Sequence, residues 1–131
     1  MRRACLLVVA AMLLVSVAAY AHHSYAATYD TSKEVKFAGK LMQFSFKNPH
    51  SYVTVQSKDA NGAMQRWAVE WAGTSQLANR GITQDTLKIG DEVTIVGRPS
   101  RVPGEFKALM VNLKRPADGF SWGSRPGDVV D

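Results

Sequence analysis

The chain has 131 residues, with 16 Lys and Arg against 11 Asp and Glu and a formal net charge of +5. That length suits one domain with a modest core, and the scattered placement of the charges argues against a nucleic-acid partner. The single cysteine, Cys5, precedes an apolar run, so the rest of the chain can hold no disulfide, no thiolate zinc site and no cysteine nucleophile.

Residues 1–21 read as a secretory signal peptide. Arg2 and Arg3 supply a positive start, Leu6 to Val17 is almost wholly apolar, and Ala19 and Ala21 are the small residues expected before a cut. The apolar run is too short to span a bilayer. Cys5 sits too early for a lipoprotein anchor, and no stable membrane insertion is expected after cleavage. The expected location is the periplasm or the exterior. Cleavage leaves 110 residues with 14 basic and 11 acidic side chains, a net charge of +3.

Residues 22–34 are polar and tyrosine-containing and read as an N-terminal arm. Residues 35–114 carry strand periodicity. In Val35 to Phe46, Val35, Phe37 and Leu41 share one parity, while Phe44 and Phe46 take the other. A switch beside Gly39 implies a bulge or bend. The second strand is expected at His50 to Ser57, after the turn Lys47-Asn48-Pro49. The hairpin turn Asp59-Ala60-Asn61-Gly62 follows, its Asn-Gly pair supplying positive φ angles. Met64 to Trp71 is the third strand, with Trp67, Val69 and Trp71 on one face and Arg66, Ala68 and Glu70 on the other. A short helix over Ser75 to Arg80 can be capped by Thr74 or Ser75 and ended by Gly81. Glu92 to Gly97 and Phe106 to Lys114 are the last two strands, the latter with Leu109, Val111 and Leu113 on one face. Residues 115–131, with recurring Pro and Gly, read as a flexible tail.

Five strands, a long bent first strand and a helix between strands three and four give an all-β, OB-fold-like antiparallel barrel. A generic small barrel or open sandwich remains the alternative. Fold alone does not give function.

The chemistry-bearing residues are the histidines His22, His23 and His50. A cut after Ala21 leaves His22 with a free α-amine of pKa about 7.7–8.0, which can close a chelate ring with its own Nδ1. His50 or His23 then completes a planar three-nitrogen set, which favours Cu(II). A cut after Ala19 leaves His22 in third position, also a copper-binding pattern. Zinc on three histidines is a further option. Met42, Met64 and Met110 offer thioethers to Cu(I). The same termini also fit a solvated end, and His50 can instead hydrogen-bond its loop or stack on Tyr52. His50 lies beyond the far end of a strand that spans roughly 40 Å, so the arm must fold back along the barrel to bring His22 near it.

Glu70 can serve as a ligand, as a partner that orients a histidine ring, or as a solvent-facing residue paired with Arg66 or a lysine. Trp67 and Trp71 alternate in phase with Val69, as core residues do. No nucleophile elbow, close carboxylate pair or phosphate loop is present, and no catalytic residue is assigned.

These motifs, His22-His23-Ser24, Asn48-Pro49-His50-Ser51, Trp67-Ala68-Val69-Glu70-Trp71 and Leu87-Lys88-Ile89-Gly90-Asp91-Glu92-Val93, run from His22 to about Leu113. Across that span the chain resembles a family of small exported bacterial proteins classed as a domain of unknown function. The resemblance implies a secreted β-rich domain and no established activity. The expected function is non-enzymatic copper binding through His22, His50 and His23. The alternative is a metal-free periplasmic module that binds a ligand or another protein through Glu70, Arg66, Tyr52 and Trp67. A copper-dependent oxidase is a third option.

Overall fold

The computed structural model describes residue 1 and residues 25–125. The expected signal segment, His22 and His23 lie outside the described residues, as do residues 126–131 at the end of the expected tail.

Six strands form one sheet: β1 (Val35–Ser45), β2 (Tyr52–Lys58), β3 (Met64–Glu70), β4 (Glu92–Pro99), β5 (Lys107–Arg115) and β6 (Phe120–Gly123). Their order is β3-β2-β1-β4-β5-β6, and a further β3–β5 pairing closes the first five into a barrel. That pairing is parallel, joining Ala68 to Lys107 and Glu70 to Leu109, while every neighbouring pair is antiparallel. A short helix, α1 (Thr74–Ala78), lies between β3 and β4. This is the expected OB-like barrel.

The bend in β1 is where the parity of the sequence places it. Residues Val35 to Lys40 pair with β4 and Gly39 to Ser45 pair with β2, with a register shift between Leu41 and Gln43. One strand thereby serves both sides of the barrel. A Cβ on Gly39 would stand 2.2 Å from the carbonyl oxygen of Gln56, so only glycine permits this approach of β1 to β2. The alternating β2 residues Val53 and Val55 join Leu41, Val69, Trp71, Val93, Ile95 and Leu113 in the core.

Four local expectations are corrected. In the β2–β3 turn only Gly62 has positive φ, at 81°. Asn61 does not, because the Asp59 carboxylate accepts the amides of Asn61 and Ala63 and organises the turn instead. The helix is capped by neither Thr74 nor Ser75. Gly73 is its N-cap residue, and the Asn48 side chain accepts the Thr74 amide. In β5 the inward residues are Ala108, Met110 and Leu113, not Leu109 and Val111. The pairing skips Val111, so the strand changes face there; this also places Met110 in the core. Finally, residues 115–131 are not all loose. Phe120–Gly123 pairs with β5, and Trp122, only 8% exposed, packs edge-on against Trp71 at 5.3 Å between centroids.

Candidate functional site

Glu70 ends β3 with its side chain on the outer face of the barrel. The expectation of a solvent-facing carboxylate paired with Arg66 fails, since Glu70 is 9% exposed. What covers it is the N-terminal arm. Residues 25–28 are helical, and the Tyr29 amide donates to the Tyr25 carbonyl at 2.7 Å. Residues four apart share a helical face, so both phenols are directed at the same place. The Tyr29 hydroxyl donates to Oε2 of Glu70, and its ring is fully buried.

The other carboxylate oxygen, Oε1, accepts a hydrogen bond from Nδ1–H of His50. This is the tautomer that leaves a lone pair on Nε2. The Tyr25 hydroxyl lies against the imidazole, 2.8 Å from Nδ1 and 3.1 Å from Nε2. Its ring is tilted against the imidazole at a centroid separation of 5.3 Å. His50 therefore neither merely bonds its own loop nor stacks on Tyr52. Of the readings open for Glu70, the orienting partner of a histidine ring is the one the geometry supports.

His50 follows the Asn48–Pro49 peptide, which is cis. The next residue, Ser51, is fully buried, and its amide donates to the Ala72 carbonyl at 3.0 Å. Its hydroxyl donates to the Lys47 carbonyl at 3.3 Å. The turn is thus fastened on both sides of His50.

Electrostatics follow from this burial. Burial, then the Glu70 hydrogen bond and charge, push the Tyr29 phenol far above its ordinary range. Burial and then the Glu70 charge also raise Tyr25 and Tyr52. All three remain neutral donors at physiological pH. Two ammonium groups stand over rings at the rim: Lys107 over Tyr29 and Lys47 over Tyr52, each 5.8 Å from the centroid.

A shallow hollow of about 340 Å³ opens here, lined by Lys47, Asn48, Pro49, His50, Tyr52 and Glu70. Two larger hollows, about 490 and 520 Å³, lie along β1 and β2 and contain no imidazole and no buried carboxylate. We place the chemistry at the smaller one.

A model of a family of unknown function (DUF6152) matches residues 10–108. The chain belongs to this family. The DUF6152 match begins inside the segment read as a signal and spans the arm, His50 and Glu70. No curated protein matches the chain.

The structure brings together His50, Glu70 and Tyr52 of the expected site residues. It does not bring Arg66, exposed and opposite Gln56, four residues up β3 from Glu70. Nor does it bring Trp67, which points inward and stacks on Phe37 at 4.4 Å. Met64 is exposed at the far end of β3. The residues that sequence reasoning missed are Tyr25 and Tyr29. Their i, i+4 spacing in a polar arm was the available signal. Among the described residues no three His, Cys, Asp or Glu side chains converge on one point. A metal on His50 needs donors from outside them.

Proposed function

We propose that the protein is an exported, periplasmic, non-enzymatic copper-binding protein, holding the ion with the α-amine and imidazole of His22 and with Nε2 of His50. The observation that carries this reading is the hydrogen bond between Tyr25 and His50. The described part of the arm folds back as a copper site requires, and Tyr25 meets that imidazole. Three residues of chain span at most about 10 Å, so His22 is within reach of a ring that Tyr25 touches. Glu70 supports the reading independently. A carboxylate on Nδ1 fixes the tautomer and raises the basicity of a metal-binding Nε2. His23 is the substitute ligand.

The test has two steps. Mass spectrometry of the exported protein identifies its first residue, which this reading requires to be His22. Cu(II) titration then compares the processed parent with His50→Ala and with a form extended by one residue at the amine. Both changes are expected to weaken binding at least tenfold. Equal affinity in all three would end the proposal.

The hollow beside Tyr52 and Lys47 favours a second reading, a metal-free module that binds a ligand or a periplasmic protein on this rim. It predicts capture of a partner that chelator does not release and that Tyr52→Ala abolishes.

A further inference from the structure

The arm is held by more than its tyrosines. The segment joining β4 to β5 runs alongside it and pairs with its backbone. The Asp30 amide donates to the Pro99 carbonyl at 2.8 Å, and the Arg101 amide donates to the Thr28 carbonyl at 3.0 Å. Tyr29 and Ser100 form an antiparallel bridge between these two bonds. The Arg101 guanidinium then reaches further up the arm, and its Nε donates to the Ala26 carbonyl at 2.6 Å. Ala26 is the residue after Tyr25. Arg98 completes the grip at the other end, with its guanidinium on the Glu34 carboxylate at 3.1 Å.

We propose that Arg101 is a positioning residue for the site, clasping the arm one residue after Tyr25 so that Tyr25 is held at His50 and Tyr29 at Glu70. The physical case is one of register. Main-chain bonds at Thr28 and Asp30 hold the last residue of the helical turn and the chain that follows it, and the Arg101 side chain reaches the turn nearer its start. A helical turn this short does not stand in water by itself. The guanidinium, a planar donor that loses little freedom on bonding, holds that turn at the carbonyl of Ala26. Tyr25 then meets the imidazole and Tyr29 meets the carboxylate together. Arg101 touches neither Glu70 nor His50, so it acts only through the arm.

The inference rests on the copper reading for its consequence but not for its geometry, and the experiment separates the two. Amide hydrogen exchange is measured at Asp30 and across residues 25–29 in metal-free processed protein. The forms compared are the parent, Arg101→Ala and Arg101→Lys, with the one-residue extended form as a control. Cu(II) affinity is measured on the same samples. Loss of one solvent-exposed, charge-assisted bond corresponds to a change of about three- to tenfold. Arg101→Ala is expected to speed exchange across 25–29 by that factor and to weaken copper by a similar one. Core amides of β2 should be unchanged, and Arg101→Lys should recover part of both effects. The extended form should keep parental exchange while losing copper. Parental exchange in Arg101→Ala would overturn the clasp, whatever happened to copper. Faster exchange in a protein that never bound copper would uphold the clasp and remove the copper reading alone.

Discussion

The side chain of Asn48 accepts the amide of Thr74 at 3.0 Å and the Thr74 hydroxyl at 2.9 Å. A residue two positions before His50 thereby supplies the acceptor that the N-cap residue of α1, Gly73, has no side chain to provide. Asn48→Ala is expected to cost about 1 kcal/mol of stability, the usual value for a lost cap. Asn48→Asp, which retains the acceptor, should cost less. Denaturant midpoints of the two variants check this. The same pair read by copper titration tests whether the proposed site needs this turn fastened.

Glu70→Gln removes a buried acceptor of two donors. Its amide group must point an N–H at either Tyr29 or His50, where a proton is already present. The expected loss is about 1.5–3 kcal/mol, the range for bonds to a charged group, measured by chemical unfolding. The phenol titrations give a second sign. The Glu70 charge raises Tyr25 and Tyr52, after burial, so in the variant both should ionise at lower pH than in the parent. Burial remains and should keep them above the ordinary value of 10.0. An unmoved phenolate absorbance curve would count against the carboxylate as a neighbour of these rings.

Trp122 tests whether the end of the chain belongs to the fold. Its ring meets Trp71 edge-on and lies 5.4 Å from the guanidinium of Arg80. Trp122→Ala is expected to destabilise by about 3 kcal/mol, as large-to-small core changes do. Trp122→Phe keeps an aromatic edge for Trp71 and removes an indole N–H that is buried with no acceptor, so its cost should be much smaller. Equal, negligible losses in thermal melting would return residues 115–125 to the status of a tail.

Acid should weaken the molecule through Asp91. Burial acts to raise its carboxyl, but the Lys88 amide and the Arg115 guanidinium outweigh it and hold the group below its ordinary value of 3.8. A carboxyl depressed in the folded state stabilises above its unfolded pKa, and that contribution disappears as pH falls through the folded one. The parent should therefore exceed Asp91→Asn in melting temperature at neutral pH, and the gap should close below about pH 4. Arg115 bonds Asp118 as well. A double change at Asp91 and Asp118 should widen the neutral-pH gap and close over the same acid range.

Much of the barrel was legible because local signals agreed with the global fold. The face switch in β1, the β2–β3 hairpin and the glycine at position 81, whose φ is 76°, each follow from residues within a few positions. What escaped depends on contacts far along the chain. The face of Glu70 follows the ordinary alternation of β3, yet its burial comes from Tyr29, forty-one positions earlier. Nothing near Glu70 announces that covering. The inward set of β5 was misassigned because Val111 interrupts an alternation that the sequence displays without interruption. The strand at Phe120–Gly123 was missed because four residues give too little periodicity, and the sign of structure was the lone Trp122. His50 was found, but its partners were not, since the tyrosines lack the chemistry that draws attention to a histidine.

The parallel seam of β3 with β5 has one more consequence. It joins segments about forty positions apart with no hairpin to guide them, and pairings so distant slow folding because the loop must close before they form. Glu70 stands on that seam, and the platform for Tyr29 comes from the stretch leading into β5. The surroundings of His50 thus depend on a pairing that no local segment of the chain can make by itself.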